Sequence, residues 1–383
     1  MSEIRVDSIG NESNTGGPVL SGITTFSGQQ YFIPPKGTTA ERPSDCPPGS
    51  IRFNTDSAHL EYWNGLVWLE FEASSEELGD QNNSNSSAGT GTRGILFGGY
   101  GGSPAQARNT IDYLTVSTLG NTQDFGDIAG TTNYRAGAAA SRTRGIMAGG
   151  IPETADIHFV TIASTGNSTD FSNLTDSRRG PAGCGNQTRA IFGGGFKNPT
   201  HVDIIDAHTI ASSADAIDFG NLSEGRARAG AFSSSVRAVF GNGKTGSTTE
   251  FNTIDYVTIS TQGDAQDFGD TTQARWSASG CSNATRGMWG GGYTPTMYNI
   301  IDFVTIASTG NAQDFGDLTE ARGGCGSLAS SLRAIWAGGE TPAPQEEIDV
   351  VTISTTGNAT DFGDISAGTR TLPAGCSNGH GGL

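Results

Sequence analysis

Two sets of charged residues recur at fixed positions and have types that could do chemistry. One set is acidic and lies in a repeated apolar run, at Asp112, Asp206, Asp255, Asp302 and Asp349, with His158 at the same place in the second copy. The other begins a repeated glycine-rich run, at Arg93, Arg144, Arg189, Arg237, Arg286 and Arg333. A ring of carboxylates could bind a cation, and guanidinium groups could grip anionic sugars through their planar fork.

Structural roles account for the same residues. Carboxylates can cap the amides of a neighbouring strand, and each arginine can pair with a nearby aspartate between repeats. An enzyme needs one asymmetric set of groups, such as two carboxylates at a defined separation in one cleft, whereas a repeat supplies several copies of each group. The sequence therefore predicts structural acids and arginines, no catalytic residue and no enzymatic activity.

An Asp-Phe-Gly triplet, or a close variant, recurs in the same repeats. In protein kinases this triplet holds a magnesium ion over ATP together with an H-R-D loop and a strand lysine, neither of which the chain shows. Its phenylalanines are Phe125, Phe171, Phe219, Phe268, Phe315 and Phe362. We interpret the triplet as part of a sheet-edge strand, in which Phe fills the core, Gly permits a bend and Asp caps a turn.

The cysteines and histidines suggest no metal chemistry. Cys46, Cys184, Cys281, Cys325 and Cys376 are an odd set without C-x-x-C spacing, so neither a zinc site nor a disulfide framework is indicated. Cys184, Cys281 and Cys376 occupy equivalent positions of different repeats, with Cys325 close to one, and we predict free, buried thiols. His59, His201 and His208 have no metal-binding spacing. The sequence thus predicts no metal and no cofactor.

Repeats of about 48 residues position these groups. The six phenylalanines lie 46, 48, 49, 47 and 47 residues apart, and the repeats fill the chain from about residue 91 to its end. Each repeat predicts four short strands: a small-residue strand such as 278–283, an arginine- and glycine-rich strand, an apolar strand and the Asp-Phe-Gly strand. The third strand is apolar on both faces, as at 301–306, which indicates burial on both sides.

Radially stacked four-stranded sheets bury their strands in this way. The sequence therefore predicts an all-β protein with a six-bladed β-propeller at 92–383. A parallel β-helix is the alternative, although its coils are usually shorter. The segment 370–378, "RTLPAGCSN", matches the small-residue strand at 277–283, so we expect the C-terminal strand to complete the first blade and close the ring.

Composition excludes several classes of partner. The 383-residue chain has 57 glycines, only 16% charged residues and a formal net charge of −17. That charge argues against binding to nucleic acid or to acidic membranes. No apolar stretch approaches the roughly 20 residues of a membrane span, and the first ten residues do not resemble a signal peptide. We expect no nucleic-acid partner and no membrane insertion.

Two parts of the sequence resemble known families. The paired glycines and the period near 48 residues resemble kelch-type propellers. Upstream, "PPGSIRFNTDSAHLEYWNGLVWLEF" (47–71) looks like a short module of tail-fibre and other virion structural proteins of tailed phages. The segment 1–18 is similar to the N-terminus of virion proteins of phages that infect marine cyanobacteria, in which repeats with the pattern "TISTxGNAxDFGDL" follow. The resemblance covers essentially the whole chain.

The resemblance implies a phage virion protein assembled in the host cytoplasm. It implies a tail or neck fibre-like appendage that is attached through its N-terminus and displays the propeller for binding a host-surface receptor or glycan. The sequence lacks long shaft repeats, which favours a short appendage. The alternative is a purely structural collar, baseplate or capsid-decoration protein. A polysaccharide-degrading propeller enzyme is less favoured, because the acids are symmetric.

An aromatic cluster near the N-terminus predicts the attachment module, at 1–72. Its members are Phe53, Tyr62, Trp63, Trp68 and Phe71, and Asn64-Gly65 is predicted to form a two-residue hairpin turn. Such a β-hairpin is marginal alone and needs a partner surface. That surface could be its own propeller, other virion proteins, or further copies of the chain, most often three in phage fibres. We favour the last two, because the polar stretch 73–91 is typical of a flexible linker.

Loops between the second and third strands of each repeat vary most in sequence. We expect them to cluster on one face, where a rigid scaffold usually carries binding residues. The candidate contacts for a host glycan or protein are Tyr100, Phe196, Tyr293, Met297 and Tyr298. The alternative is that these loops are solvated turns without a ligand.

Overall fold

A computed structural model describes residues 34–70 except Ala58, and residues 92–383 except Ser103 and 131–133. The chain divides into two compact units, Met1–Ser75 and Glu76–Leu383. Apart from one short 3-10 helix, the regular structure of the described residues is β-strand, as predicted. The expected linker at 73–91 lies outside the described residues.

The first unit contains one four-stranded sheet in the described residues. Its strands are β1 (Lys36–Gly37), β2 (Ile51–Asn54), β3 (His59–Trp63) and β4 (Trp68–Glu70), and the 3-10 helix spans Thr39–Glu41. Strands β2, β3 and β4 are antiparallel, whereas β1 runs parallel to β2. The module is therefore larger than the hairpin that the sequence predicts.

The hairpin turn differs from the prediction. Trp63 pairs with Trp68, so four residues rather than two connect β3 and β4. The Asn64 side-chain oxygen accepts hydrogen bonds from the amides of Leu66 and Val67, at 2.8 Å each. The Asn64 side chain thus provides hydrogen-bond acceptors for two amides within the turn and stabilises the four-residue connection.

Strands of the second unit form four-stranded antiparallel sheets, which we number 1 to 6 in chain order. Sheet 1 contains β5 (Arg93–Gly101), β6 (Gln106–Thr115) and β7 (Gln123–Asp127). Sheet 2 contains β8 (Gly137–Ala140), β9 (Arg144–Ala148), β10 (Thr154–Thr161) and β11 (Thr169–Arg178). Sheet 3 contains β12 (Ala182–Gly185), β13 (Arg189–Gly193), β16 (Ile204–Thr209) and β17 (Ile217–Asn221), with the ribbon of β14 (Phe196–Lys197) and β15 (Thr200–His201) inserted.

The other three sheets repeat this order. Sheet 4 contains β18 (Gly230–Ser233), β19 (Arg237–Gly241), β22 (Thr253–Thr258) and β23 (Gln266–Asp270), with the ribbon of β20 (Lys244–Thr245) and β21 (Thr249–Glu250) inserted. Sheet 5 contains β24 (Ser279–Ser282), β25 (Arg286–Gly290), β26 (Ile300–Thr305) and β27 (Gln313–Asp317). Sheet 6 contains β28 (Gly326–Ala329), β29 (Arg333–Ala337), β30 (Glu347–Thr352) and β31 (Thr360–Asp364).

The last strand of the chain belongs to the first sheet. Strand β32 (Ala374–Ser377) pairs antiparallel with β5, through Ala374 with Phe97 and Cys376 with Ile95. Sheet 1 is thus completed by a strand about 280 residues away in sequence. This pairing is the one predicted from the match between 370–378 and 277–283.

Hydrophobic clusters lie between consecutive sheets. Ile95 and Phe97 of sheet 1 pack with Met147 and Val160 of sheet 2, and the same kind of cluster joins each later pair. A further cluster joins sheet 6 back to sheet 1, through residues such as Leu96, Val116, Leu328 and Ile335. Both faces of the third strands are therefore buried, because each sheet is covered on both sides.

First strands also contact each other in sequence. Strand β8 contacts β12, which contacts β18, and the series continues through β24 and β28 to β32, which contacts β8. Small residues allow this close approach: a Cβ on Gly183 would lie 2.5 Å from the main-chain oxygen of Ala138. No helix among the described residues is long and apolar enough to cross a membrane.

Candidate functional site

Five of the predicted acids are buried partners of arginines. Asp206, Asp255, Asp302, Asp349 and Asp112 lie within 2.6–3.0 Å of the guanidinium nitrogens of Arg178, Arg226, Arg275, Arg322 and Arg370 respectively. Arg178 is the last residue of β11, the other four arginines lie in the segments that follow sheets 3 to 6, and each aspartate lies on the third strand of the following sheet. For the last pair, Arg370 reaches Asp112 of sheet 1.

The acids also accept hydrogen bonds from the preceding sheet. Thr319 donates its amide and its hydroxyl to Asp349, at 3.0 and 2.6 Å, and Thr175 does the same to Asp206. The predicted structural role of these acids is therefore confirmed. Among the described residues, no group of three His, Cys, Asp or Glu side chains could hold a metal ion.

The predicted pairing of the six repeated arginines with aspartates is wrong. These arginines instead donate to main-chain carbonyls at the end of the third strand of the following sheet: Arg93 to Ile162, Arg144 to Ile210, Arg189 to Ile259, Arg237 to Ile306, Arg286 to Ile353 and Arg333 to Val116, at 2.8–3.0 Å. The aspartates are already occupied by the other arginine set. The last of these bonds again joins sheet 6 to sheet 1.

A sequence signal for the buried pairs did exist. In the second repeat the acid is replaced by His158, and the residue that aligns with the five buried arginines is Asn133. The acid and the arginine are thus both replaced by uncharged residues in the same repeat, which is the pattern expected of positions that contact each other. Burial lowers the pKa of His158, which is only 2% exposed, and so keeps the ring neutral. Asn133 itself lies outside the described residues.

The cysteine prediction is confirmed. All five cysteines are free, the four in the second unit are buried, and Cys46 is half-buried. Cys184, Cys281 and Cys376 lie on the first strands β12, β24 and β32. Burial raises the pKa of Cys281 and of Cys376 to about 12 and that of Cys325 to about 11.

A cavity of about 120 Å³ is lined by the first strands of the six sheets. Six residues at its end have left-handed backbone angles, with φ between +56° and +69°, and we call them the cavity rim: Arg135, Gly180, Arg228, Ser277, Gly324 and Leu372. Their main chains form a cycle of hydrogen bonds. Arg135 N–H donates to Leu372 C=O, and the series runs from Leu372 to Gly324, Ser277, Arg228, Gly180 and back to Arg135, at 2.7–3.2 Å.

Beside the cavity rim, the repeat loses its symmetry. Near the end of each second strand, the residue that follows two glycines (Asn242 and Gly243 in sheet 4) bridges to the residue before the rim position. The pairs are Tyr100–Thr371, Ile151–Tyr134, Phe196–Arg179, Lys244–Ala227, Tyr293–Trp276 and Glu340–Gly323. The backbone pattern is the same in each sheet, whereas the side chains differ in charge, size and aromatic character. These six positions therefore carry an asymmetric set of side chains on a repeated backbone.

Three of the predicted loop residues belong to these pairs. Tyr100 packs against Tyr134 with ring centroids 5.5 Å apart, and Tyr293 against Trp276 at 4.8 Å. Phe196 lies under the guanidinium of Arg179, at 4.5 Å. These three residues are half-buried, as are Met297 and Tyr298, which follow in the loop of sheet 5.

Sequence reasoning missed the charged members of this region. Arg135, Arg179, Arg228 and Lys244 lie beside Phe196 and His201, around a second cavity of about 180 Å³ that we call the basic pocket. The signal was the replacement of the small rim residue by arginine in two repeats, at Arg135 and Arg228. Comparison of the repeats position by position outside the apolar strands would have found it.

The predicted attachment residues lie on both faces of the first unit's sheet. Apolar and polar residues alternate along the paired strands β2 and β3, so Phe53 and Tyr62 share one face. Ile51 and Leu60 lie on that face, and Arg52, Asn54 and Glu61 lie on the other. Trp63 and Trp68 are paired on the other face, with ring centroids 5.7 Å apart. Phe71 lies outside the described residues.

A buried polar network holds this module together. The carboxylate of Glu61, which is fully buried, accepts hydrogen bonds from Arg42 at 2.6 Å and from Asn54 at 3.3 Å, and it lies 3.5 Å from Arg52. The arginine, asparagine and glutamate of the "IRFNTD" and "LEYWNG" segments therefore serve the fold of the module.

No protein-family model matches the chain, and no curated protein matches its sequence.

Proposed function

We propose that residues 92–383 form a six-bladed, kelch-like β-propeller closed by strand β32. The cyclic order of the contacts supports this arrangement. Four kinds of contact each include a link to sheet 1 from sheet 6 or from the segment that follows it. They are the hydrophobic clusters, the contacts between first strands, the arginine–carbonyl bonds and the buried Arg–Asp pairs. In a propeller each blade packs on two neighbours, and the innermost strands surround a central channel.

We further propose that the protein is a phage virion appendage, a tail or neck fibre-like protein anchored through residues 1–72. In this role the propeller faces outward and binds a glycan or protein of the host surface. The observation that carries the proposal is the asymmetry beside the cavity rim, where a conserved backbone pattern displays aromatic and charged side chains that differ between sheets. Variable groups on a rigid scaffold are typical of recognition surfaces.

Exposed apolar residues in the first unit support an assembly role. Ile51 is 49% exposed, Leu69 39%, Val67 53% and Leu66 83%. Ile51 and Leu69 are both cross-strand partners of Tyr62, so these two side chains extend the face that carries Phe53. A sheet face of this kind favours contact with another virion protein or with further copies of the chain, a trimer being the form we expect.

The proposal is tested by location and by competition. Gold-labelled antibodies against the protein should mark the tail or neck of intact phage particles, and purified full-length protein should reduce adsorption of the phage to its host cells. A label on the particle without an effect on adsorption would favour the purely structural role, as a collar, baseplate or capsid-decoration protein. Particles that carry no label would contradict the virion assignment.

A further inference from the structure

The basic pocket concentrates positive charge in an acidic protein. The chain has a formal net charge of −17, yet Arg135, Arg179, Arg228 and Lys244 line a single cavity of about 180 Å³. Among the described residues, Arg135, Arg228 and Lys244 form no ion pair with a carboxylate, and Nε of Arg135 is buried without a hydrogen-bond partner. Structural arginines elsewhere in the unit, by contrast, are paired with aspartates or carbonyls.

Two of these arginines occupy backbone positions that favour glycine. Arg135 and Arg228 have φ of +60° and +59°, and they lie on either side of Gly180 in the cavity rim. A side chain other than glycine is destabilising in this conformation, because its Cβ approaches the following carbonyl oxygen. Gly180 and Gly324 show that the fold accepts glycine at this position. The backbone conformation therefore does not require the arginine side chains, and the N–H and C=O groups of these residues are already paired in the hydrogen-bonded cycle.

Gly180 leaves space between the two arginines. A Cβ at Gly180 would lie 3.7 Å from the side chain of Arg228, and Gly180 itself lines the basic pocket. The pocket is thus lined by a residue without a side chain between two arginines.

Aromatic rings orient the cations. The guanidinium of Arg228 and the ammonium of Lys244 each lie 4.5 Å from the centroid of the Trp276 ring, and the guanidinium of Arg179 lies 4.5 Å from that of Phe196. Cations held over aromatic faces have restricted positions, and their N–H groups remain available to an acceptor.

Acidic neighbours do not balance this charge. Glu153 approaches Arg179 at 3.9 Å, and Glu340 interacts with Arg228 and Arg135 from sheet 6. Burial, followed by the charge of Arg135, lowers the pKa of Arg228 to about 10. His201 adds no charge at neutral pH, because burial and the nearby Lys244 lower its pKa. Glu250 adds a third carboxylate, beside Lys244. At neutral pH the four cations therefore outnumber the three carboxylates, and an anion in the pocket would relieve their repulsion.

We propose that the basic pocket binds the anionic group of an acidic saccharide: a carboxylate, sulfate or phosphate carried on a sugar ring. The inference rests on the proposed role in host-surface binding and assigns the ligand class to that site. Guanidinium groups recognise such anions through paired hydrogen bonds. The stacked pair Tyr100–Tyr134 and the ring of Tyr293, which lie at the equivalent positions of other sheets, offer apolar ring surfaces for the adjoining sugars.

Binding to a defined oligosaccharide tests the proposal. Full-length protein is titrated calorimetrically with a sulfated heparin tetrasaccharide and with the same tetrasaccharide after desulfation, N-acetylation and reduction of its carboxylates, which together leave it uncharged. We expect measurable binding only to the sulfated probe, and weaker binding as salt rises from 50 to 300 mM, since ion pairs near solvent are screened. Equal binding of both probes, or binding of neither, would overturn the proposal.

Glycine substitutions separate ligand binding from folding. Arg228→Gly and Arg135→Gly should each weaken binding about tenfold or more, while the unfolding temperature stays the same or rises, because glycine relieves the left-handed backbone. Ser277→Gly is the matched control, since it makes the same change at a rim residue outside the basic pocket, and its affinity should equal that of the unchanged protein. Equal losses in all three variants would contradict a site at the basic pocket.

Failure of this inference can be distinguished from failure of the proposed function. If the protein blocks phage adsorption but Arg228→Gly blocks it equally well, host binding stands and the acidic-saccharide site is wrong. If Arg228→Gly loses both tetrasaccharide binding and the block of adsorption, both are supported.

Discussion

Single arginine–aspartate pairs connect five of the six sheets to the next one in the second unit. Arg275 and Asp302, for example, are both fully buried and lie 2.9 Å apart. Desolvation of two charges offsets much of their attraction, so such a pair adds little compared with a well-packed apolar one. Removal of one partner is different, because the remaining charge stays buried without compensation.

Arg275→Met should therefore lower the free energy of unfolding by about 3–5 kcal/mol, since it leaves Asp302 as an isolated buried charge. The double variant Arg275→Met/Asp302→Asn should recover a large part of that loss. Urea unfolding measures both. Arg286→Met is the control: it removes a half-buried arginine that bonds to the Ile353 carbonyl, and it should lose only about 1 kcal/mol. A loss in Arg275→Met no larger than in this control would contradict the pairing.

The buried thiols should make stability fall at alkaline pH. Thiols of the unfolded chain ionise near pH 8.5, whereas burial raises the pKa of Cys325 to about 11 and that of Cys281 to about 12. Above pH 8.5 the unfolded state binds fewer protons, so the free energy of unfolding should decrease by about 1.4 kcal/mol per pH unit for each buried thiol, until the folded pKa is reached.

Urea midpoints between pH 8 and 10 test this slope, which should be smaller in Cys281→Ala/Cys376→Ala. An identical slope in that variant would refute the assignment. In the folded protein at pH 8, a thiol reagent should modify Cys46 first, and all five cysteines after denaturation.

Residue roles were predictable where one residue type recurs in most of the repeats. The recurrent acids and cysteines, and five of the six phenylalanines, are buried as the sequence indicates, whereas Phe171 is half-buried. The arginine partners were not predictable from recurrence alone, because two arginine sets compete for one set of aspartates and only the three-dimensional distances decide. Arg135 and Arg228 were missed because they break the repeat instead of following it.

Among the elements, strand β32 is the one whose loss should matter most. Removal of residues 371–383 deletes the partner of β5 and exposes the cluster that contains Ile95 and Phe97. We expect loss of the cooperative unfolding transition, or aggregation through the unpaired edge. Removal of only 379–383 keeps the strand and should retain the transition. A protein without 371–383 that melts like the full chain would refute closure by this strand.

Strand existence and order followed from the sequence, because turn residues and apolar runs alternate regularly. Details that depend on one side chain did not. The four-residue turn of the first unit depends on the Asn64 side chain, and strand β1 precedes the predicted hairpin without an apolar pattern of its own. Such features are set by hydrogen bonds that periodicity does not encode.

At the scale of the whole molecule, we expect assembly through the first unit. Full-length protein should self-associate or bind a virion component, whereas a chain that begins at residue 92 should be monomeric. Ile51→Ser/Leu69→Ser should weaken the association. Trp63→Ala and Trp68→Ala should each weaken it by about 2–4 kcal/mol, as expected for the loss of a buried aromatic anchor. Light scattering measures this.

Leu119→Ser/Val236→Ser is the matched control, since both residues are exposed and lie in the second unit. It should leave association unchanged. If the full-length protein is monomeric and binds no virion component, the first unit is not an anchor.

The cycle of hydrogen bonds at the cavity rim is homodromic: each of the six residues donates to one neighbour and accepts from the other in the same sense of rotation. Bonds in such a circuit polarise one another, so the rim should open as a unit. Their in-plane dipoles also cancel around the circle. The electrostatic potential at this end of the second unit is therefore set by the rim side chains. An exchange of arginine for glycine or serine changes that potential without disturbing the hydrogen-bonded cycle.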